Sequence, residues 1–565
     1  MAGRMASRVA ALATGLLIVS TTVVAAGTPL GADLRAHRQD RGALIVLDLY
    51  GSYEQMGRQQ VELLGATSRE LGDLYAGRWR ALVRAQGLFG SVVNGVILPL
   101  WAAFGGWRED SGFFEEAAGV AGALGTKGTD GVRLLYGGVF GGGSTVFAAT
   151  RSATADGGAI IGRNVDWSDD SGRRRPVVAR YHPENGDLVY LAASWPLIIV
   201  PIVGLNEAGL AISINFFDAD DMIGLGVPRI LYRRILQQAR TVEEALALLA
   251  EGGNRGGAGI LVLADASGDM ALAECSATRC AVHRPAEEWL GQSNHTRTAE
   301  MHDHDQGRTA DSDRRRLAIE AAVRPQLGRI TPAVAATILR DRSNSAFMND
   351  ATVANLRVLN AVVVDPARRV MWHSTAPQPL APFGEMVPIA IEEQHVDVES
   401  LPADPRLGGV TLRHEVEVVA AMRQASRLFA VGRVGDAGAI WDRLAVEAAT
   451  ELEPRRLAWA RARVRWSIGR LAEAESLLAE ADVEAAPFEV RAYAKVARGM
   501  IADRRQRRAE ALEHYRGAAA FLDTHPAYDA PLLVGPVRRW IREGLATSAR
   551  PGRLPALPDL QCIPQ

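Results

Sequence analysis

The chain has 565 residues, too many for one ordinary core, so two or more domains are expected. It is 48% hydrophobic and 23% charged, with a formal net charge of -2, which excludes wholesale disorder and the basic stripe that nucleic-acid binding needs. Charges of both signs alternate along it, as on solvated faces, and no nucleic-acid partner is expected.

Residues 1–26 read as an export signal: Arg4 and Arg8 precede an uncharged, mostly apolar run that ends on Val24, Ala25 and Ala26. An uncleaved anchor is the alternative, and either one places the body in the periplasm or outside the cell. No later stretch reaches the ~18 apolar residues of a membrane span. Residues 27–143 form an N-terminal propeptide or α-chain segment. It opens with a strand at 44–47, continues as a helical pattern through Leu63 and Leu71, and becomes Gly-rich and apolar over 86–130.

From Ser144 the period changes to that of strands. Runs at 144–150 and 159–165, 176–181 and 188–193, and 198–203 and 210–216 are separated by turn residues and predict an antiparallel meander. Helices follow at 229–238 and after Thr241, with Glu244 in capping-box position. Strands resume at 259–264, 270–275 and 280–283. Cys275 and Cys280 flank a four-residue turn, which suits either a hairpin disulfide or two small buried side chains; Cys562 is the third cysteine. The apolar run 195–200 reads as a buried strand, or as the lining of an acyl pocket.

The last third is helical and Ala-rich. Ala437, Ala474 and Ala511 recur every 37 residues, as do Trp441, Leu478 and Tyr515, and Asp436, Glu473 and Glu510. This period lies near the ~34 residues of tetratricopeptide repeats, so 415–542 resembles three such hairpins. They would form either a groove for a protein partner or a packing appendage. Residues 543–565 make a Pro-rich tail.

Familiar catalytic patterns are absent: there is no G-x-S-x-G elbow, no H-E-x-x-H and no P-loop. His295, His302 and His304 lie in a polar stretch and read as solvated, with no metal and no cofactor expected. What remains is Ser144 at the start of a strand behind Gly141, Gly142 and Gly143. A hairpin partner returns Arg163, Asn164 and Asp166 to the same end of the sheet. From these residues alone, a Gly-rich loop entering a structural strand, with a satisfied Arg163–Asp166 ion pair, is a better reading than a catalytic site.

Several blocks occur in order: LDLYGSYEQMG from Leu47, ADGGAIIGRNVDW ending at Trp167, GLNEAGLAISINFF from Gly204, LVLADASGDMALAEC from Leu261, and QSNHT from Gln292. Over about 44–388 the chain thereby resembles the autoproteolytic acyltransferases and hydrolases related to isopenicillin N acyltransferase. More distantly, it is similar to bile salt hydrolases, penicillin V acylases and acid ceramidases. The resemblance implies an α+β chain: a four-layer αββα N-terminal-nucleophile hydrolase core over 144–400, followed by the all-α repeats. The precursor would cut itself before the nucleophile, whose free α-amine (reference pKa ~7.7 to 8.0) then acts as general base.

By the same resemblance Ser144 is the nucleophile, and Arg163 and Asp166 orient it, with Asp166 accepting hydrogen bonds from the new amine. Asn215 and Asn294 stabilise the oxyanion. One of Arg314, Arg315 and Arg316 would be a further active-site arginine, unless the trio is only a charged helix surface. The implied substrate is a small-molecule N-acyl amide. The family's nucleophile is usually cysteine; the serine here depends wholly on its base. A catalytically silent relative that binds protein through its repeats is the other reading.

Overall fold

The computed structural model describes residues 35–558 except 86, 99–111, 128–129, 135–141, 168–174, 222–227, 252–257, 344–350, 356, 393–397, 448–453, 529–530 and 548–554. The expected signal segment 1–26, Gly141 and Cys562 lie outside the described residues.

Two sheets form the core. The larger has nine strands in the order β1-β2-β5-β6-β7-β8-β9-β10-β11, and the smaller has six, β12-β3-β4-β13-β14-β15. In the larger sheet, β1 (His37–Arg41) pairs antiparallel with β2 (Leu44–Gly51), and β2 pairs parallel with β5 (Val177–Pro183). From β5 the chain meanders through β6 (Tyr190–Ser194), β7 (Val203–Asn206), β8 (Leu210–Asn215), β9 (Gly259–Asp265), β10 (Met270–Cys275) and β11 (Cys280–His283). The smaller sheet holds β3 (Gly142–Arg151), β4 (Gly157–Trp167), β12 (Trp289–Gln292), β13 (Val358–Asp365), β14 (Val370–Ser374) and β15 (Met386–Ala390).

Both faces of each sheet are covered, which is why many strands read as unbroken apolar runs rather than alternating ones. In β2, Leu44 and Val46 point into the core between the sheets, whereas Ile45, Leu47 and Leu49 point to an outer core. The helices α1 (Tyr53–Leu64), α2 (Ala66–Ala85), α3 (Phe113–Ala123), α4 (Pro228–Gln238) and α5 (Val242–Glu251) supply that outer core. On the other side, α6 (Ala310–Val323) and α7 (Pro332–Leu339) cover the smaller sheet. The result is the four-layer αββα sandwich that the resemblance implied.

Two expectations are corrected. The hairpin at Ser144 and the strands after Val177 do not form one meander but lie in different sheets. Local turn residues fix which strands follow one another in a hairpin and carry no information about the sheet they join. The run 195–202 is not a strand: Pro196 has no N–H to give a ladder, and Leu197 sits at φ +66 with its N–H donated to Gln60 Oε1 at 3.0 Å. The run is nonetheless buried throughout. Cys275 and Cys280 face each other across β10 and β11 and are disulfide-bonded.

Beyond β15 the chain is helical: α8 (Val410–Ala430), α9 (Val434–Glu447), α10 (Pro454–Ser467), α11 (Leu471–Ala481), α12 (Phe488–Arg504), α13 (Arg508–Asp523) and α14 (Pro531–Ala546). The 37-residue recurrence falls on α9, α11 and α13. Ala437, Ala474 and Ala511 are completely buried there, and Trp441, Leu478 and Tyr515 nearly so. A small residue lets the neighbouring helix approach, and the large one a turn later fills the space beside it. Part of the Pro-rich tail is packed rather than loose: Pro555, Leu557 and Pro558 accept hydrogen bonds from Trp466, Arg463 and Trp459 of α10. No described helix is long and apolar enough to cross a membrane.

Candidate active site

The hairpin β3–β4 sets the first three positions. Gly143 pairs with Asp166, Ser144 with Val165 and Val146 with Arg163. Side chains alternate along a strand, so Ser144 and Arg163 share the face that looks between the sheets with Val146, whereas Asp166 looks outward toward α6. Gly142 cannot be replaced: a Cβ there would lie 2.0 Å from the Trp167 ring that packs over it.

Opposite Ser144, β8 faces the smaller sheet with Ser213 and Asn215, on the side of Ala211. Arg163 spans the gap. Its Nη2 donates to Ser144 Oγ at 2.6 Å and to the carbonyl of Ile214, and its Nη1 donates to Ser213 Oγ at 2.6 Å. Burial pushes this guanidinium down to about 9, against the pull of Asp166. A buried cation therefore sits on the hydroxyl that would have to become a nucleophile.

The strand β12 runs antiparallel to β3 with Gln292 opposite Val146. Continuing that register by two residues brings Asn294 opposite Ser144. Its Oδ1 accepts the Ser144 backbone N–H at 2.6 Å and Arg315 Nη2 at 3.1 Å, while its Nδ2 donates to Phe216 O at 2.8 Å. Asn215 Nδ2 donates to Ser293 O at 2.8 Å, and its Oδ1 is buried without a hydrogen bond among the described residues. Of the five residues expected from the sequence, Ser144, Arg163, Asn215 and Asn294 are thus buried together where the two sheets face each other, and Asp166 is buried behind them on the α6 side of the smaller sheet, beside the Arg315 that also bonds Asn294. As they stand, the amide donors of both asparagines are engaged by backbone carbonyls, and Asn294 holds the backbone nitrogen of Ser144.

The arginine trio on α6 resolves to one member. Successive helical residues turn by about 100°, so only one of three adjacent side chains can point at the sheet. Arg315 is that one: it is fully buried, and its Nε lies 3.5 Å from Asp166 Oδ2. Arg314 is half-exposed, and Arg316 pairs with Glu320 along the helix.

Sequence reasoning missed the shell behind Asn294. His295 is buried, not solvated, because its ring is enclosed by α6; His302 is exposed and His304 pairs with Asp220. The His295 Nε2 lies 3.1 Å from Asp313 Oδ1, and its Nδ1 lies 2.8 Å from Ser312 Oγ. Burial drives its pKa down to about 3, so the ring is neutral. The proton then belongs on Nε2, facing the carboxylate, an assignment made from its neighbours. Ser293 Oγ donates to Ser312 O at 2.6 Å, and Ser312 Oγ accepts the Asn294 N–H at 3.0 Å. Asn294 N–H, Ser312, His295 and Asp313 therefore form one directed chain of hydrogen bonds. The signal for it in the sequence was the pairing of QSNH with a D-S-D step opening a helix, which looks polar and surface-like until the two meet.

Comparison with known proteins gives three results. Residues 153–377 match the family described as acyl-coenzyme A:6-aminopenicillanic acid acyl-transferase. That span includes Arg163, Asp166, Asn215, Asn294 and Arg315, and begins just after Ser144; it is narrower than the resemblance noted from the sequence. Among curated proteins none matches. Similar solved structures include an N-acylethanolamine-hydrolyzing acid amidase ortholog from Caenorhabditis elegans (14% identity, 40% of this chain and 93% of that one, TM-score 0.30). They also include two variants of the conjugated bile acid hydrolase from Clostridium perfringens. One has 12% identity over 46% of this chain and 95% of that one with TM-score 0.31; the other covers 97% of that chain at the same identity, with TM-score 0.30. Superpositions this loose carry no argument about activity.

Proposed function

Residues 153–377 match the acyl-coenzyme A:6-aminopenicillanic acid acyl-transferase family, and from that match we propose that the chain is an exported N-terminal-nucleophile amidase or acyltransferase, made active by a cut before Ser144. The observation that carries this reading is the arrangement around one residue: Arg163 on Ser144 Oγ and Asn294 on Ser144 N.

In the uncut chain Ser144 Oγ attacks the Gly143 carbonyl, and the peptide bond is lost through an N-to-O acyl shift that water then hydrolyses. The freed α-amine titrates near neutral pH and takes the Oγ proton as the oxygen attacks the substrate amide. Arg163 stabilises negative charge building on that oxygen in a site without bulk water. Asn294, held by Arg315, retains the amine, with Asp166 completing the charge balance around Arg315. Asn215 and Asn294 carry the amide donors assigned to the oxyanion. The leaving amine departs with the proton from the α-amine, and water or a second amine takes the acyl group from Oγ. The substrate is a small N-acyl amide, and the buried apolar run at 195–200, whose Trp195 ring packs on Trp167 at the end of β4, is a candidate for an acyl contact. Export is supported by the basic-then-apolar start of the chain and by the Cys275–Cys280 bond, which needs an oxidising compartment.

Ser144→Ala tests the reading with intact mass, N-terminal sequencing and an amide-hydrolysis assay on the same preparations. It is expected to stay one chain and lose hydrolysis, whereas Ser144→Cys is still cut. A fully active, normally processed Ser144→Ala protein would end the proposal. An uncut and inactive wild type would transfer the weight to the silent relative that binds protein through its helices.

A further inference from the structure

Among the described residues, the side chains by which the C-terminal region reaches the first turns of α6 include Arg456 and Tyr528, whose hydroxyl hydrogen-bonds Asp313. Arg456, in the first turn of α10, puts its Nη2 against Asp311 Oδ2 of α6 and 2.7 Å from Glu489 Oε1 of α12. All three groups are largely or wholly removed from water: the side chains are 14%, 8% and 1% exposed. Ala310, the first residue of α6, is part of the core of the helical region itself. A further tie is made by Arg342, after α7, which grips the buried carboxylate of Glu415 in α8 through both oxygens.

What distinguishes Arg456 is where its partner sits. Asp311 is followed by Ser312, which accepts the Asn294 N–H, by Asp313, which holds His295, and by Arg315, which donates to Asn294 Oδ1. These four residues span little more than one helical turn, a rigid unit of about 5.4 Å pitch. A shift of the Asp311 end is therefore passed to Ser312 and Arg315 almost unreduced. Both hydrogen bonds that fix Asn294 from this side come from that turn.

We propose that Arg456 is a positioning residue for the hydrolytic site, and that the helical region completes that site by clamping the first turn of α6. The inference rests on the amidase reading for its kinetic consequence but not for its structural one. A misplacement of about 1 Å remote from the chemistry can cost on the order of 10²-fold in rate.

The test uses the full-length protein. Arg456→Gln is expected to lower kcat roughly 10- to 100-fold with KM within about twofold of wild type, because the clamp orients groups that act on the reacting bond. Arg456→Lys keeps the cation, but its ammonium sits on a shorter side chain and stops short of the place where Nη2 meets both carboxylates, so it recovers only part of the rate. If Arg456 acts through Ser312, its effect shrinks in a Ser312→Ala background, where the hydroxyl under Asn294 is already missing. Hydrogen exchange gives a readout independent of activity: in both Arg456 variants residues 292–296 and 310–316 exchange faster, and 454–467 does not. Wild-type exchange over those segments overturns the proposal, as do rate losses that simply multiply in the Ser312→Ala background. If the wild type hydrolyses no amide, the amidase reading fails and the exchange result alone decides the clamp.

Discussion

Changing Arg315 to methionine keeps an apolar stem of similar reach and deletes the charge from a place where neither Arg315 nor Asp166 has exposed side-chain surface. Removing one member of a buried ion pair leaves the other charge stranded, at a cost of about 3–5 kcal/mol. A protein domain has only about 5–15 kcal/mol in hand, so Arg315→Met removes a large part of the stability. Arg314→Met, one residue earlier, is the control: that side chain is half-exposed and 4.0 Å from Asp311, and such a surface pair is worth about 0–1 kcal/mol. Asp166→Asn combined with Arg315→Met removes both charges and should return most of the lost stability without returning the rate. The measurement is a denaturant midpoint for each variant in a Ser144→Ala background, which keeps every protein a single chain. Hydrolysis is then measured with Ser144 present. Equal midpoints for Arg315→Met and Arg314→Met would refute the placement of Arg315 beneath Asp166.

Two further outcomes are expected. Burial pushes His373 down to about 4 from its usual 6.5, although its bond to Ser374 O pulls the other way. A folded value below the unfolded one means that stability is fully present above pH 6.5 and is lost as pH falls through about 4, a contribution on the order of 3 kcal/mol. His373→Asn should therefore flatten the acid side of a stability–pH curve between those values, and an unchanged acid limb rejects this. For the disulfide, Cys275 and Cys280 should resist alkylation in denaturant until a reductant is added, and reduction should cost about 2 kcal/mol for so short a loop. Thiols that alkylate without reductant in protein recovered from its native compartment would contradict the bond.

The parts of the site that were legible in the sequence are those whose placement is local. Ser144, Arg163 and Asp166 are joined by a tight hairpin with an Asp-Gly-Gly turn, so alternation alone brings them to one end of a sheet. Asn215 and Asn294 were marked by resemblance, and the register of β12 on β3 explains why Asn294 arrives opposite Ser144. What stayed hidden depends on long-range packing. Three adjacent arginines differ only in helical phase, and phase has meaning only once α6 is laid on the smaller sheet. His295 looked wet because its enclosing partners, Ser312 and Asp313, lie some 18 residues on. The run at 195–200 had the composition of a strand, but its proline and its left-handed Leu197 prevent a ladder. The parallel pairing of β2 with β5 could not be seen either, since 125 residues separate the two strands (177 − 51 − 1) and no turn joins them.

That parallel pairing bears on how the protein would survive the proposed cut before Ser144. A cut between Gly143 and Ser144 would divide the chain, yet β2 lies inside the nine-stranded sheet, bonded along seven residue pairs to β5. Its side chains are shared between two cores, one on each face. The upstream piece would then be no discarded leader but a permanent subunit, held along one edge by β5 and on both faces by packing. Folding would have to precede cleavage, while both halves are tethered and the pairing is intramolecular. Once denatured, the two halves must find each other by diffusion. The mature protein would thus owe its lifetime to a slow unfolding rate, and a single melting event would be its last.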